Sequence, residues 1–397
     1  MSWFRHVPPA ASPITARHVA ASLRGAILGG EEVHVAARRA LSERYGTERI
    51  VLVDSGTSAL RIALEVVREA APARQVALPA YSCYDVATAA VGAGVAVRFY
   101  DIDPGTLSPD LDSLRKVLIH GAGSVVVAHL FAYPVDLDGV RALCTEFGVP
   151  LVEDAAQGAG GSYRGRRLGT FGDFAILSFG RGKGMAAGGG GALLVHDEGR
   201  WAPVAGVVDR LRRGSRGFAE CAALAGQWLF GRPSLYWIPA SVPVLRLGET
   251  VYHEPWEPGG MATGVAATVP AVLAEVDGAA AGRRCTAREL SDAFAGSEVR
   301  LVWVVPGAEP GYLRFPVIGG GSWVRHGSVR RAGVERSYPE QLSKLRPLEG
   351  RASGQAEQPG LRGCSVLARG LVTLPTHRWI AEHHLPRMIA AVRGTLN

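Results

Sequence analysis

The sequence predicts an α/β fold: a mostly parallel central sheet in a large domain, here residues 1–250, followed by a smaller α+β domain, residues 251–397. Two observations carry this. Between residues 49 and 195, seven short β-branched runs appear ("RIVLVDS", "VALP", "VAVRFYD", "SVVVAHL", "PLVED", "FAILSF", "GALLV"). The first five are separated by segments of helical length, such as "TSALRIALEVVREA", in which Leu60, Ala63, Leu64 and Val67 share one face. Strand and helix in alternation build a parallel sheet covered on both sides. The last runs lie closer together, which predicts a hairpin around "YRGRRLG". In such folds ligands bind beyond the carboxyl ends of the strands, so the residues that follow each run are the candidates for chemistry.

After residue 200 the pattern changes. "CAALAGQWLFG" and "PSLYWIPASVPVL" are rich in Trp, Tyr, Leu and Pro, too short to span a bilayer and too broken for one long helix. This aromatic segment, about residues 219–250, reads as a subunit contact or a lid, with a membrane-surface patch as the alternative. "GVAATVPAVLAEVD" reads as an amphipathic helix, "GYLRFPVI" opens the smaller domain, and "EGRASGQAEQPGLRG" is a polar connection.

At 397 residues and 47% hydrophobic, the chain is large enough to bury a substantial core. Five scattered cysteines without CxxC or Cys/His spacing indicate neither a disulfide framework nor a metal site, and a reducing cytoplasm is the expected compartment. A formal charge of +7 without a basic block fits anionic small molecules and no nucleic acid.

Three strand ends carry the chemistry. In "VDSGTSALRIAL" a strand runs into Gly56, Thr57 and Ser58 at the start of a helix, where free N–H groups, hydroxyls and the helix dipole suit a phosphate or a simple N-cap. The GxGxxG dinucleotide pattern is absent. In "PLVEDAAQGAGG", Asp154 closes an apolar strand, where an ionised carboxylate needs a cation or donors, and Gln157 lies about one turn on. In "LSFGRGKGMAAGGGG", Lys183 stands between glycines in a chain with three lysines among 43 basic residues. A lysine, unlike arginine, can lose its proton when burial lowers its pKa and then act as a nucleophile. A Walker A loop fails here, because Leu177 and Gly184 occupy its Gly and Ser/Thr positions. A phosphate cradle, a strand-end carboxylate and a lysine match the three anchoring points of pyridoxal 5'-phosphate (PLP): phosphate, ring nitrogen and aldehyde. Ser178, five residues before Lys183, adds a hydroxyl to the cradle.

On these stretches, together with "LPAYSCYDVATAAVGAGVAVRFYDID", "VVAHLFAYPVDLDGV" and "EDAAQ" followed by "GTFGDFAILSF" and a lysine, the chain resembles the DegT/DnrJ/EryC1/StrS family of PLP-dependent sugar aminotransferases, fold type I (aspartate-aminotransferase-like). The resemblance implies that Lys183 carries the cofactor, Asp154 pairs with its ring nitrogen, Gln157 approaches its phenolic oxygen, and Gly56, Thr57 and Ser178 hold its phosphate. It implies a homodimer that converts a keto group on a nucleotide-linked sugar to an amine, with glutamate as the amino donor. Another PLP-dependent reaction on a non-sugar ketone, an elimination, or a non-catalytic scaffold are the alternatives. The chain departs from the family pattern where an aromatic residue usually stacks on the cofactor and Cys83 stands instead, with Tyr81 and Tyr84 beside it. It departs again at Pro258-Gly259-Gly260-Met261, where the family's "NxRM" Asn and Arg are missing.

Overall fold

The computed structural model describes residues 6–242, 250–319, 321–352 and 360–394. Part of the polar connection (353–359) and the end of the aromatic segment (243–249) therefore lie outside the described residues. All seven runs are strands of one sheet. In chain order they are β1 (Ile50–Val53), β2 (Gln75–Pro79), β3 (Val97–Tyr100), β4 (Ala122–Ala128), β5 (Leu151–Asp154), β8 (Phe174–Ser178) and β9 (Gly191–Val195); the two-residue strands β6 (Ser162–Tyr163) and β7 (Arg166–Arg167) form the expected hairpin. The spatial order is β1-β9-β8-β5-β4-β2-β3. From β3 to β8 all neighbours are parallel, and β9 runs antiparallel to both β8 and β1. The carboxyl ends of β1, β2, β4, β5 and β8 therefore open on the same edge.

Side chains explain this sheet. Its central strands are buried along almost their whole length, as expected of parallel strands covered on both faces. Helix α3 (Gly56–Ala70) packs Leu60, Ala63, Leu64 and Val67 inward, the face expected from the sequence. Its start is capped by Ser55, whose Oγ accepts the Ser58 N–H at 3.0 Å.

The helix expected from "GVAATVPAVLAEVD" is longer than that stretch: it runs from Thr263 to Phe294. Inward positions recur at Val265, Val269, Val272, Val276, Ala280, Arg283, Ala287, Leu290 and Phe294, so helical periodicity continues past the apparent end. By length and composition this helix could cross a membrane, but half of its most apolar stretch is buried inside the protein. Its first half packs into the core beneath the seven-stranded sheet. Its last turns enter a second core with Phe315, Val317, Trp323, Val372, Leu374 and Met388. That second core lies against an antiparallel sheet of order β10-β12-β14-β13, made of Arg300–Leu301, Phe315–Ile318, Leu371–Leu374 and Glu335–Arg336. The strand β11 (Ala308–Glu309) instead extends the β6–β7 hairpin.

Candidate active site

Directly after β8, the loop Phe179–Gly190 leaves the sheet edge and returns to β9. It is closed by Phe179 N–H to Gly190 O at 2.9 Å and Ala187 N–H to Phe179 O at 2.8 Å, and is tied to the end of β1 by Gly190 N–H to Asp54 O at 3.0 Å. Lys183 sits at its tip between Gly182 (φ 75°) and Gly184 (φ 77°). A side chain at Gly184 would place its Cβ 2.8 Å from the Ala159 Cβ. Glycine on both sides is thus what lets the chain reverse twice around one lysine against the sheet edge.

The structure brings most of the candidate residues into one cavity at the carboxyl ends of the strands. Gly56 and Thr57 form one wall, Asp154 and Gln157 another, and Ser178 and Lys183 a third. The first turn of α3, whose N–H groups have no carbonyl a turn earlier to meet, opens onto it. Gly56 has a steric role here: a Cβ would sit 2.9 Å from the Ser178 Cβ and fill the cradle.

Ser58 does not join this group. Its hydroxyl donates to Asp54 Oδ1 at 2.5 Å and meets Ser55 Oγ at 3.0 Å, on the side away from the cavity. A small polar residue one position into a helix start can face ligand or cap with equal sequence propriety; here the Asp54 carboxylate captures it. Gln157 lines the cavity with its amide held at both ends: Oε1 accepts the Phe131 N–H at 3.0 Å and Nε2 donates to the Tyr338 hydroxyl at 2.8 Å.

The electrostatics of Lys183 correct the expectation drawn from its sequence. Burial works to lower its pKa, but Cys83, Asp85 and Asp154 act together in the other direction, and its pKa is raised. Asp154 shows the opposing effect: burial raises its pKa, against the Ala156 N–H at 3.0 Å and the Lys183 charge.

Two lining residues, Asp85 and His129, were not picked out from the sequence, whereas Cys83 was, as the residue at the usual stacking position. Asp85, in the first turn of the helix Tyr84–Gly92, and Cys83 line the cavity beside Lys183, and burial pushes the Cys83 thiol up to about 12. Neither Tyr81 nor Tyr84 faces the cavity: Tyr81 is fully buried with its hydroxyl accepting the Tyr338 N–H at 3.3 Å, and the Tyr84 hydroxyl accepts the Glu340 N–H at 3.0 Å. Among the described residues, the one ring that lines the cavity is His129, at the end of β4. Its Nδ1 accepts the Val135 N–H at 3.3 Å, which leaves the proton on Nε2, directed to Glu153 Oε1 at 3.0 Å. The signal for His129 was its place just after a strand run, the same signal that marked Asp154. The segment at Pro258-Gly259-Gly260 has a structural role of its own, since Gly259 N–H donates to Asp54 Oδ2 at 2.9 Å and its carbonyl accepts the Asp54 N–H at 2.8 Å.

These residues also fit PLP on independent grounds. The Ser82 hydroxyl at the cavity is fully buried without a hydrogen-bond partner among the described residues, Asp154 is a desolvated carboxylate lining the cavity, and the Gly56–Ser178 cradle is kept open by the missing Cβ.

Fold and cavity together define an α/β architecture of fold type I, the aspartate-aminotransferase-like class. Similarity to known structures spans the chain: the sugar aminotransferase CalS13 of Micromonospora echinospora superposes with a TM-score of 0.72 at 20% identity over 98% of this chain and 99% of that one. A sequence model of the DegT/DnrJ/EryC1/StrS aminotransferase family matches residues 15–207. Among curated relatives, the L-glutamine:2-deoxy-scyllo-inosose aminotransferase of Streptoalloteichus tenebrarius is 31% identical over 206 residues, 52% of this chain and 47% of the relative. The dTDP-4-dehydro-2,3,6-trideoxy-D-glucose 4-aminotransferase of Saccharopolyspora spinosa is 33% identical over 150 residues, 38% and 39%. The chain spans about half the length of the curated relatives it matches.

Proposed function

We propose that the protein is a PLP-dependent aminotransferase that converts a keto group on a sugar or sugar-like ring to an amine, using glutamate as donor. The observation that carries this reading is the convergence of Gly56, Thr57, Ser178, Asp154, Gln157 and Lys183 on one cavity. The relatives named above act on a deoxy-inosose and on a nucleotide-linked sugar, and one is named for L-glutamine, which makes glutamine the second donor to assay.

The bound cofactor would supply an electron sink that lets an amino group and a proton move between carbons. Gly56, Thr57 and Ser178 would hold its phosphate at the start of α3, where N–H groups and the helix dipole favour an anion. The Asp154 carboxylate would meet the ring nitrogen and keep it protonated, a role in which a partner cation offsets the cost of its burial. Gln157, with its amide fixed by Phe131 and Tyr338, would approach the ring's phenolic oxygen edge without rotating. Lys183 would bind the cofactor, and once freed its amine would move the proton at the reacting carbon. The acids around it would help hold that proton between transfers.

The reading extends to the assembly. A homodimer in the cytoplasm, with the aromatic segment at the subunit boundary or the rim of the site, fits the partly exposed Leu229 and Ile238 and the presence of Tyr236 in the wall of a cavity adjoining Lys183. Borohydride reduction of the purified, PLP-loaded protein followed by peptide mapping is the direct test. The label is expected on Lys183; a label on Lys116 or Lys344, or none, would overturn the assignment.

A further inference from the structure

A second, larger cavity adjoins the first and shares Cys83, Asp85, Gln157 and Lys183 with it. Its far wall comes from the smaller sheet: Arg314 just before Phe315–Ile318, and Glu335, Arg336 and Ser337 along and after Glu335–Arg336. Arg181 stands at its mouth. Four cationic side chains (Arg181, Lys183, Arg314, Arg336) face two acids (Asp85, Glu335) and His253.

Three hydrogen-bonding atoms of that far wall are buried and have no partner among the described residues: Arg314 Nε, Arg336 Nε and Ser337 Oγ. Native proteins rarely leave such atoms unmet, because each costs the desolvation of a polar group without return. The three are donors, and they lie in one wall. The rest of each group is already committed, which fixes its place. Arg314 Nη2 donates to Gly333 O at 3.1 Å and Thr373 O at 3.0 Å, and its Nη1 reaches Glu335 Oε2 at 3.5 Å; Arg336 Nη2 donates to Ala368 O. The Ser337 carbonyl accepts the Thr250 hydroxyl at 3.0 Å. Tyr338, next in sequence, holds Gln157 and so joins this wall to the first cavity. A rigid wall of unmet donors in a cavity of net positive charge suits an oxyanion.

We propose that Arg314, Arg336 and Ser337, with Arg181 at the mouth, form a substrate subsite for an oxyanion, a carboxylate or a phosphate, that holds the substrate while its reacting carbon faces Lys183. The inference rests on the aminotransferase reading for which end of the substrate reacts, but not for the binding itself. Glu335, in the same wall, pairs with Arg314 at 3.5 Å and offsets part of its charge.

The test uses Arg314→Gln, Arg181→Gln and Ser337→Ala in the full chain, with PLP loading checked first by absorbance. Steady-state and half-reaction constants are measured for L-glutamate and for a nucleotide-linked keto-sugar. Calorimetry with succinate and with inorganic pyrophosphate is run on protein with and without PLP. Loss of one charge-assisted contact is expected to raise KM about 10-fold or more with kcat within about 2-fold, and to weaken the matching probe in parallel. A rise confined to glutamate, with weakened succinate, assigns the subsite to the donor carboxylate. A rise confined to the keto-sugar, with weakened pyrophosphate, assigns it to the acceptor phosphate. Should Arg314→Gln fail to fold, Arg181→Gln and Ser337→Ala carry the test, because neither side chain holds a backbone carbonyl. Unchanged constants and unchanged probe binding in the folded variants overturn the subsite. Failure to load PLP with normal succinate or pyrophosphate binding overturns the aminotransferase reading alone.

Discussion

Replacing Glu153 with Gln isolates what holds the strand-end carboxylate in place. Glu153 is completely buried, one residue before Asp154. Its Oε1 accepts from His129 Nε2 at 3.0 Å and Gly169 N–H at 2.6 Å; its Oε2 accepts from Phe171 N–H at 2.8 Å and Gly172 N–H at 3.0 Å. Burial pushes its pKa up, but His129 and the backbone donors outweigh it and hold the group below the ordinary carboxylate range. Glutamine keeps the shape but has one acceptor oxygen, so two of the four donors face an NH₂ group instead. At about 1–3 kcal/mol for each buried donor left unmet, the loss is about 2–6 kcal/mol. Unfolding entropy of about 2.1 cal/mol/K per residue gives about 0.8 kcal/mol/K for a chain of this length, so the melting temperature should fall by about 2–7 °C. Thermal unfolding of the PLP-free protein at neutral pH measures this, with Glu309→Gln, whose exposed carboxylate meets Ser162 Oγ and pairs with Arg284 Nε at 3.1 Å, as the control expected to move less than about 1 °C. Because the folded pKa is depressed, this stability is present above the unfolded glutamate value near 4.3 and is lost as pH falls through the folded one. The gap between wild type and variant should therefore shrink below about pH 4. A melting temperature unchanged at neutral pH would refute the account of the loop Gly169–Gly172 as anchored by this one carboxylate.

Three further outcomes follow from the site. Asp154→Asn removes a carboxylate whose pKa burial has raised, so the PLP-free protein should be no less stable by thermal melting, while the glutamate half-reaction followed by absorbance should slow at least about 100-fold. Gly56→Ala places a Cβ 2.9 Å from the Ser178 Cβ, so PLP affinity measured by fluorescence titration should fall about 10-fold or more; unchanged affinity would separate the cradle from the cofactor. At pH 8, iodoacetamide followed by intact mass should modify exposed Cys285 first, with Cys83 slow despite lining the cavity, since its thiol is pushed up to about 12; rapid loss at Cys83 would contradict that environment.

The strands, the hairpin and the positions of Asp154, Gln157, Ser178 and Lys183 were legible in the sequence because each is set within a few residues. A run of β-branched side chains specifies a buried strand, and the polar residue that ends the run must lie at the sheet edge. The length of the helix Thr263–Phe294 was only half legible, since alanines and Gly278 and Gly282 weaken its apolar stripe without stopping it. What the sequence could not settle depends on groups far apart in the chain. Ser58 turns from the cavity because Asp54, itself held by Gly259, captures its hydroxyl. The Lys183 pKa is raised against its burial because the fold sets Cys83 and Asp85, about a hundred residues earlier, beside it as well as Asp154. Arg314, Arg336 and Ser337 become a wall of that same site only where the small sheet closes over the large one. Local patterning fixes where a side chain stands on its own element; the charge it feels and the neighbour it meets come from packing between elements, where burial and Coulomb energy are set by distances no spacing in the sequence encodes.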